Sequence, residues 1–191
     1  MNIEQSRCAW LNDDPMYIRY HDDEWGVPQH DPLALFECLL LEGAQAGLSW
    51  YVILKKRDGY RRAFANFDAD KMARFTPRRV NKLVLDASIV RHRGKIEAFI
   101  GNARAYLAMR DADVDFAQWL WAFVDGEPLQ SKRRSQYDVP ASTPLSAKMS
   151  RELKKRGFRF VGATTCYAFM QATGMVNDHL ATCFRCSELR A

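Results

Sequence analysis

Residues 76–103, TPRRVNKLVLDASIVRHRGKIEAFIGNA, decide the fold class. Apolar side chains recur at intervals of three and four residues in both halves of this stretch, first at Val80, Leu83, Val84 and Ala87 and then at Ile96, Phe99, Ile100 and Ala103. That spacing places each set on one face of an α-helix. The stretch therefore predicts two amphipathic helices joined by a short turn.

The rest of the chain shows the same helical period. Capping side chains, prolines at first helical positions and terminal glycines mark the ends of further predicted helices, at residues 33–46, 49–56, 70–75, 115–124, 144–156 and 164–173. Residues 127–143 are polar and basic and predict a long loop, and residues 158–161 are the one candidate strand. We predict an all-α protein whose 191 residues form a single domain.

The composition narrows the functional classes. Apolar residues make up 48% of the chain, which suits a globular core, and charged residues interrupt them too often for a membrane span. No signal-peptide pattern opens the sequence, so we expect a cytoplasmic protein without a membrane partner. Five cysteines in that compartment stay reduced, which argues against a disulfide framework. The net charge of +5 is compatible with nucleic-acid binding but does not require it.

The turn between the two helices is rich in basic side chains, since residues 91–95 read RHRGK. The first backbone N–H groups of the following helix lack helical partners and, with the helix dipole, form an anion site. DNA phosphate is therefore a candidate ligand of four residues, Arg91, Arg93, Gly94 and Lys95. The alternative is a solvated turn that happens to be basic.

Residues of metal-binding type lie at opposite ends of the chain. Cys8 and His21 are near its start, while His179 and Cys183 are near its end and four residues apart, so that one helical turn could aim both the same way. Two cysteines and two histidines complete a tetrahedral zinc set without an open coordination position, as in structural sites. Cys186 could replace one ligand. Separate buried thiols and hydrogen-bonded imidazoles are the alternative.

Glu42 interrupts an apolar helical stripe. Leu35, Leu39, Glu42 and Ala46 lie at i, i+4, i+7 and i+11. A carboxylate on such a face must be paired or must face a cavity, because burying it unpaired is costly. Acids in such positions mark candidate sites. The alternative is a helix that has already turned toward solvent at Gly43.

Aromatic side chains form a further candidate group, which consists of Trp10, Tyr17, Tyr20, Trp25 and Trp50. Packing against one another in a small aromatic core is the common fate of such rings. Phenol and indole groups, however, need hydrogen-bond partners when they are buried. A flat polar ligand would satisfy both their faces and their polar tips.

Together these residues resemble a known family, DNA-3-methyladenine glycosylase I of bacterial base-excision repair. The matching stretches are CAW, YIRYHDDEWGVP, LEGAQAGLSW, VRHRGKIEAFIGNARAYL, LKKRGFRFVG and VNDH, and together with Cys183 the resemblance runs over residues 8–183. The resemblance implies an all-helical, two-lobed fold around a cleft, with a helix–hairpin–helix element for DNA at roughly residues 68–126. It also implies a monomer that acts on double-stranded DNA with alkylated bases and releases free 3-methyladenine.

The resemblance also implies roles for individual residues. The family's structural zinc ligands, one ion per chain, match Cys8, His21, His179 and Cys183. Glu42 and Tyr20 match its hydrogen-bonding contacts to the flipped base, which makes Glu42 the catalytic candidate. The stacking platform matches Trp50, and other pocket-wall positions match Trp10, Tyr17 and Trp25. The zinc clamp would hold the N-terminal pocket wall against the C-terminal region.

Ser88 departs from the family pattern, because we expect glycine at the start of the hairpin. If that residue needs a positive φ, serine adds strain. The catalytic aspartate of the wider superfamily has no clear counterpart here, and the family lacks it too; Asp111, Asp113 and Asp115 are interpreted as loop and cap residues. A 3-methylated adenine in DNA is cationic, so its glycosidic bond is already weakened and the base leaves neutral.

Two other functional classes compete with this interpretation. A non-catalytic, zinc-stabilised DNA-binding protein accounts for the charge, the basic turn and the metal-type residues, but not for Glu42 or the rings. A zinc hydrolase needs a coordination position for water, which four protein ligands would deny. No lysine is placed to support a lyase step, so we predict a monofunctional glycosylase.

Overall fold

The computed structural model describes residues 6–190; the first five residues and the last residue of the predicted domain lie outside this range. The described chain is mostly helical, as predicted. Its α-helices are α1 Pro15–Arg19, α2 Pro32–Gln45, α3 Trp50–Ala63, α4 Ala69–Met72, α5 Pro77–Leu83, α6 Arg93–Asp111, α7 Phe116–Trp121, α8 Pro144–Lys155, α9 Ala163–Ala172 and α10 Phe184–Glu188. A π-helical turn, Tyr20–Glu24, continues α1, and short 3-10 turns lie at Ala65–Phe67, Ala122–Val124 and Gln136–Asp138.

Several predicted helix starts are confirmed because capping is a local interaction. The Ala34 N–H donates to the Asp31 carboxylate over 2.7 Å at the start of α2. Thr76 caps α5 in the same way. The prediction for α3 was too short, since this helix continues from Trp50 to Ala63. Its second half still carries buried side chains beyond the charged stretch at residues 55–58.

The predicted strand at residues 158–161 is wrong. Phe160 has a positive φ of 57°, which breaks an extended conformation. The Asn102 side chain instead bonds both the carbonyl and the N–H of Arg159, at 3.0 and 2.8 Å. Ser150 donates to the Val161 carbonyl over 2.6 Å. Side chains of neighbouring helices therefore supply the partners that a strand would have needed.

A two-stranded parallel sheet occurs elsewhere. β1, Leu129–Gln130, lies in the predicted loop and pairs with β2, Val176–Asn177. The paired residues are Leu129 with Val176 and Gln130 with Asn177, which are distant in the sequence. The Ser131 hydroxyl joins the same two segments by donating to the Asn177 carbonyl over 2.7 Å. The long loop is thereby attached to the C-terminal region.

Helix α2 is the centre of the hydrophobic core. Leu35, Phe36, Leu39 and Leu40 are fully buried, and the helix packs against α3, α6, α7 and α9. Burial on several sides explains why the sequence of α2 is apolar over most of its surface. No helix within residues 6–190 is both long and apolar enough to cross a membrane.

Residues 84–92, here called the hairpin, connect α5 to α6. The prediction of backbone strain at Ser88 is wrong, because Ser88 does not adopt a positive φ. Its N–H and hydroxyl both donate to the Asp86 carboxylate, over 2.8 and 2.6 Å. The constraint lies instead at Gly59 of α3, where a Cβ atom would be 2.3 Å from the Ser88 carbonyl oxygen. A glycine on α3 thus allows the hairpin to approach closely.

Gly174 joins the end of α9 to the N-terminal part of the chain. It has a φ of +73°, and a Cβ atom there would lie 2.5 Å from the Pro28 nitrogen. Nearby, the Gln29 N–H donates to the Thr173 carbonyl over 3.1 Å. The two ends of the described chain therefore meet through closely packed backbone.

We predict that Gly174→Ala destabilises the protein more than Gly126→Ala. Both residues have positive φ, but no atom lies within 4 Å of the position of a Cβ at Gly126. The control therefore carries only the left-handed conformational penalty of roughly 1–2 kcal/mol. Gly174→Ala adds a backbone clash worth about 1–3 kcal/mol more. Urea unfolding measures both changes, and equal losses would contradict the close contact.

Candidate functional site

Four buried side chains from both ends of the described chain form one cluster, here called the Cys/His cluster: Cys8, His21, His179 and Cys183. Their ligand atoms all lie within 4.8 Å of one another. The π-helical turn after α1 presents His21, while the segment between β2 and α10 presents His179 and Cys183. The structure thus brings together the residues that the sequence pairs only at a distance.

The spacing of these atoms fits a tetrahedral metal ion. Cys183 Sγ is 3.4 Å from His21 Nε2 and 3.5 Å from His179 Nδ1, and Cys8 Sγ is 3.6 Å from His179 Nδ1. Metal–sulfur bonds of about 2.3 Å and metal–nitrogen bonds of about 2.0 Å separate tetrahedral ligands by roughly 3.3–3.8 Å. The donor set can therefore hold one metal ion among four protein ligands.

The second nitrogen of each imidazole is also engaged. His21 Nδ1 is 2.7 Å from the Asp22 carboxylate, which in turn accepts hydrogen bonds from Arg7. His179 Nε2 is 3.1 Å from the Trp25 carbonyl oxygen. Outer contacts of this kind fix the ring orientation and the tautomer of metal-binding histidines. They leave His21 Nε2 and His179 Nδ1 directed at the cluster.

The two cluster thiols have opposite pKa shifts. The hydrogen bond between them raises the pKa of Cys8 and lowers the pKa of Cys183, so that the pair favours one thiolate. A divalent metal ion favours a thiolate at both sulfurs. Cys186 is not part of the cluster; its sulfur accepts a hydrogen bond from Arg190 at 3.1 Å. Cys186, the alternative ligand that the sequence left open, therefore does not join these four residues in this arrangement.

The predicted rings meet around a cavity of about 190 Å³, here called the aromatic cavity, whose lining includes Trp10, Tyr17, Tyr20, Trp25, Trp50 and Glu42. Ring centroids of Trp10 lie 5.1 Å from those of Tyr17 and Trp25, and the Tyr20 and Trp50 centroids are 5.3 Å apart. The rings therefore pack against one another, as a small aromatic core would, and also border open space. The Trp10 ring contacts His21 and so links the cavity to the Cys/His cluster.

Glu42 is buried in the wall of this cavity. The residue is only 4% exposed, and Gly43 and Ala44 after it are buried too, so the helix has not turned toward solvent. Within residues 6–190, neither Glu42 Oε2 nor the Trp50 indole N–H has a hydrogen-bond partner. Burial raises the pKa of Glu42 to about 8. An acceptor and a donor without partners therefore border the same cavity.

Sequence reasoning missed four polar residues of the lining, Gln45, Gln136, Gln171 and Asp178. Asp178 precedes His179 in the VNDH stretch, which could have been a signal. Its buried carboxylate accepts hydrogen bonds from Tyr167, Gln171 and Arg133. Burial alone would raise the pKa of Asp178, but its interactions with Ser131, Tyr167, Arg133 and Gln171 outweigh burial and lower the pKa. The cavity therefore borders one saturated carboxylate and one carboxyl group without a partner.

The basic turn is exposed at Arg91, His92 and Arg93. The His92 side chain caps α6 by accepting from the Lys95 N–H at 3.2 Å. Arg93 donates to Asn81 over 2.7 Å. Within the described residues, no hydrogen bond engages the N–H groups of Arg93 and Gly94. Two exposed arginines and two available N–H groups thus remain accessible in the basic turn, where phosphate binding stays a prediction.

The buried position of the Lys95 side chain contradicts the predicted role of this residue in phosphate binding. Its side chain is buried and donates to the carbonyls of Ala44 and Ala46 over 2.7 and 2.6 Å. The i, i+3 and i+4 spacing of Ile96, Phe99 and Ile100 turns that part of α6 to the core, and Lys95 lies at the edge of the same face. In this position its ammonium group is engaged by two backbone carbonyls instead of extending into solvent.

Comparisons with known proteins agree with one family. A family model described as methyladenine glycosylase matches residues 10–186. DNA-3-methyladenine glycosylase 1 of Escherichia coli (strain K12) is 52% identical over 177 residues, which cover 93% of this chain and 95% of that protein.

Solved structures share the fold. A crystal structure of a 3-methyladenine DNA glycosylase I matches with a TM-score of 0.93 and 52% identity, covering 94% of this chain and 98% of the other. A structure of the Staphylococcus aureus enzyme, described as the structural basis of 3-methyladenine recognition, matches with a TM-score of 0.90 and 38% identity. That match covers 93% of this chain and 95% of the Staphylococcus aureus chain.

We predict that Glu42→Gln becomes more stable than the wild type as the pH rises. The pKa of Glu42 is 4.5 when unperturbed and about 8 in the folded chain. Folding therefore favours its protonated form, and the wild type loses up to ~1.4 kcal/mol per pH unit between these values. Glutamine cannot ionise and avoids this loss. Urea unfolding at about pH 5 and about pH 9 measures the difference, with exposed Glu127→Gln as the control. A difference independent of pH would contradict the burial of an unpaired acid.

Proposed function

The chain belongs to the methyladenine glycosylase family, and from this premise we propose that it is a DNA repair glycosylase specific for 3-methyladenine. It hydrolyses the N-glycosidic bond of this base in alkylated DNA, releases the free base and leaves an abasic site. The observation that carries the proposal is the unpartnered Glu42 carboxyl group in the wall of the aromatic cavity. Such a group suits a flat ligand that brings a positive charge and hydrogen-bond donors.

The charge of the substrate explains how such a site could select it. 3-Methylation makes the adenine cationic, and this positive charge weakens the N-glycosidic bond between the base and the sugar. As this cation enters the cavity, its charge favours the ionised form of Glu42 and offsets the cost of burying the carboxylate. A normal adenine is neutral and offers no such compensation. The departing electron pair of the glycosidic bond neutralises the base, so no strong acid is required.

The rings give the cavity its shape for a purine. We assign stacking to Trp50 and edge contacts to Glu42 and Tyr20, with the remaining wall formed by Trp10, Tyr17 and Trp25. Electron-rich ring faces attract a cation beyond their apolar contact. Within residues 6–190, Glu42 Oε2 has no hydrogen-bond partner, which supports its use in hydrogen bonding to the base edge. At about 190 Å³ the cavity is smaller than the roughly 300–1,000 Å³ typical of drug-sized ligands, as suits a single base.

The target base must leave the duplex to reach such a cavity. We propose that α5, the hairpin and α6 act as a helix–hairpin–helix element within residues 68–126. Arg91, Arg93 and the N–H groups at Gly94 would bind the phosphates of double-stranded DNA. The exposure of both arginines supports this assignment. Backbone contacts of this kind orient the duplex without reading its sequence.

The Cys/His cluster would hold a structural Zn²⁺. Two thiolates and two imidazoles at tetrahedral spacing suit this ion, and four protein ligands leave no position for a reacting water. This closed set argues against a zinc hydrolase. The bound ion would fix the N-terminal segment, which carries four of the five rings, against the C-terminal region. Zinc would thus support the cavity without taking part in the reaction.

A non-catalytic DNA-binding protein is the remaining alternative. It explains the basic turn and the Cys/His cluster, but it gives no reason for a cavity lined by rings and an unpartnered acid. Release of free 3-methyladenine from methylated duplex DNA separates the two functions. Chromatographic detection of the base is expected with the purified protein, and a complete lack of release would exclude the glycosylase.

We predict that Glu42→Gln slows single-turnover excision about tenfold or more. The exchange keeps the shape and removes the charge, and a hydrogen bond to a charged group contributes roughly 1.5–3 kcal/mol. Binding to undamaged duplex should change much less. Glu37→Gln is the matched control, because Glu37 lies on the same helix but outside the aromatic cavity and pairs with Arg61. Excision by Glu42→Gln at the wild-type rate would remove Glu42 from the site.

We predict one tightly bound zinc per chain and its loss in Cys8→Ala. Zinc binding to the folded chain contributes to folding, so this variant should also unfold at a lower temperature. Cys186→Ala is the control, because it removes a buried thiol that lies outside the cluster. Elemental analysis of freshly purified protein and thermal unfolding provide the measurements. Less than about half an equivalent of zinc in the wild type would count against the site.

A further inference from the structure

The ammonium group of Lys95 has an unusual environment for a lysine. The residue is 7% exposed, and Nζ donates to the carbonyl oxygens of Ala44 and Ala46 over 2.7 and 2.6 Å. Within residues 6–190, no carboxylate lies in ion-pair distance of Nζ. The positive charge is therefore compensated by backbone dipoles rather than by an acid. A buried cation is rarely retained without such specific partners.

The two carbonyls belong to the C-terminal end of α2. The last carbonyls of a helix lack helical partners and carry the negative end of the helix dipole, so a cation is favoured there. The Leu48 N–H donates a hydrogen bond to the Gln45 carbonyl over 2.6 Å. Lys95 Nζ donates to the carbonyls on either side of Gln45, and these hydrogen bonds attach the end of α2 to the first turn of α6.

The attached segment carries the proposed base contacts. Glu42 lies two residues before Ala44, and Gln45 lies between the two bonded carbonyls. Trp50 begins α3 four residues after Ala46. Glu42, Gln45 and Trp50 all line the aromatic cavity. A shift of the end of α2 would therefore move one wall of the cavity.

A second contact joins the same two regions. The His92 ring, at the start of α6, lies edge-on to the Phe160 ring with a centroid distance of 6.3 Å. Phe160 packs in turn on Gly43, where an added Cβ atom would be 3.1 Å from the Phe160 carbonyl oxygen. The start of α6 and the end of α2 thus have an apolar contact beside the polar one. This packing limits how far α2 could move to find other partners for its carbonyls.

Resting on the proposed function, we infer that Lys95 is a positioning residue that fixes the Glu42-bearing end of α2 against the helix that follows the hairpin. It acts on the base through Glu42 and Trp50 and does not contact phosphate. The basic turn and the base cavity are thereby held at a constant separation. A duplex bound at Arg91 then presents its extruded base to a wall whose position is already set.

Lys95→Met tests this inference, because it keeps an unbranched apolar chain and removes the donors. We expect weaker binding of free 3-methyladenine, measured by tryptophan fluorescence. We also expect slower single-turnover excision, by about tenfold, since small displacements of catalytic groups have effects of this order or larger. The salt dependence of binding to undamaged duplex should equal that of the wild type, because no phosphate contact is lost.

Two further variants show whether an effect of Lys95→Met comes from lost positioning or from a lost phosphate contact. Arg91→Ala removes a proposed phosphate contact, so its salt slope should fall by ~1 unit while its affinity for the free base stays unchanged. Lys56→Met is the matched control, because the Lys56 Nζ also donates to a backbone carbonyl, that of Ala87, over 2.6 Å. It removes a lysine–carbonyl bond that does not involve α2. Because Ala87 lies in the hairpin, the comparison uses affinity for the free base alone, and this affinity should match that of the wild type.

Rescue separates positioning from a loss of folding. Lys95→Arg keeps a cation with several donors and should restore part of the base affinity and of the excision rate. Should Lys95→Met not fold, Lys95→Gln gives the same comparison with one donor group retained and smaller expected losses. A fall of the salt slope by ~1 unit in either variant would make Lys95 a phosphate contact and overturn the inference. Wild-type base affinity together with a wild-type excision rate would overturn it as well.

The failure of this inference differs from a failure of the proposed function. If the wild type releases no 3-methyladenine from methylated duplex, the function itself is wrong. If the wild type is active and the Lys95 variants are equally active, only the positioning role is wrong.

Discussion

Within residues 6–190, a buried acid of the central helix has no hydrogen-bond partner, and the rest of the structure is arranged around this constraint. Glu42 is embedded in α2 among fully buried leucines, where an unpaired polar group costs stability. The folded state accepts this loss of stability, and aromatic rings border the carboxyl group on the side of the cavity. The end of α2 is also fixed by Lys95. A group held so firmly in an unfavourable environment is suited to a ligand that relieves it.

The opposite wall of the cavity has a different origin. The N-terminal segment carries Trp10, Tyr17, Tyr20 and Trp25, and between residues 6 and 31 its only helical elements are the short helix α1 and the π-helical turn after it. Such a segment has little core of its own, so it depends on attachment to the C-terminal region. The Cys/His cluster provides that attachment, together with the backbone contact at Gly174. One wall of the cavity therefore belongs to the helical core, and the other belongs to an N-terminal segment that contacts the C-terminal region through the Cys/His cluster.

Local signals predicted much of this structure, while long-range contacts were beyond them. Asp31 and Thr76 act within their own helix starts, so the sequence alone identifies them. Glu42 stood out because helical periodicity places it on an apolar face. The direction of Lys95 depends on α2, about 50 residues earlier in the chain, and the basic residues around it favoured the wrong interpretation. The Asp178 network and the short parallel sheet likewise need the tertiary fold.

The most direct test of the account is the pKa of the Glu42 carboxyl group, followed by ¹³C NMR with and without a cationic dimethylated adenine that lacks a sugar. We expect the Glu42 carboxyl group to titrate near pH 8 in the free protein. We also expect a marked fall of this pKa when the cation occupies the cavity, because the positive charge stabilises the carboxylate. An ordinary pKa near 4.5 in the free protein, or a raised pKa that the cation leaves unchanged, would contradict the account.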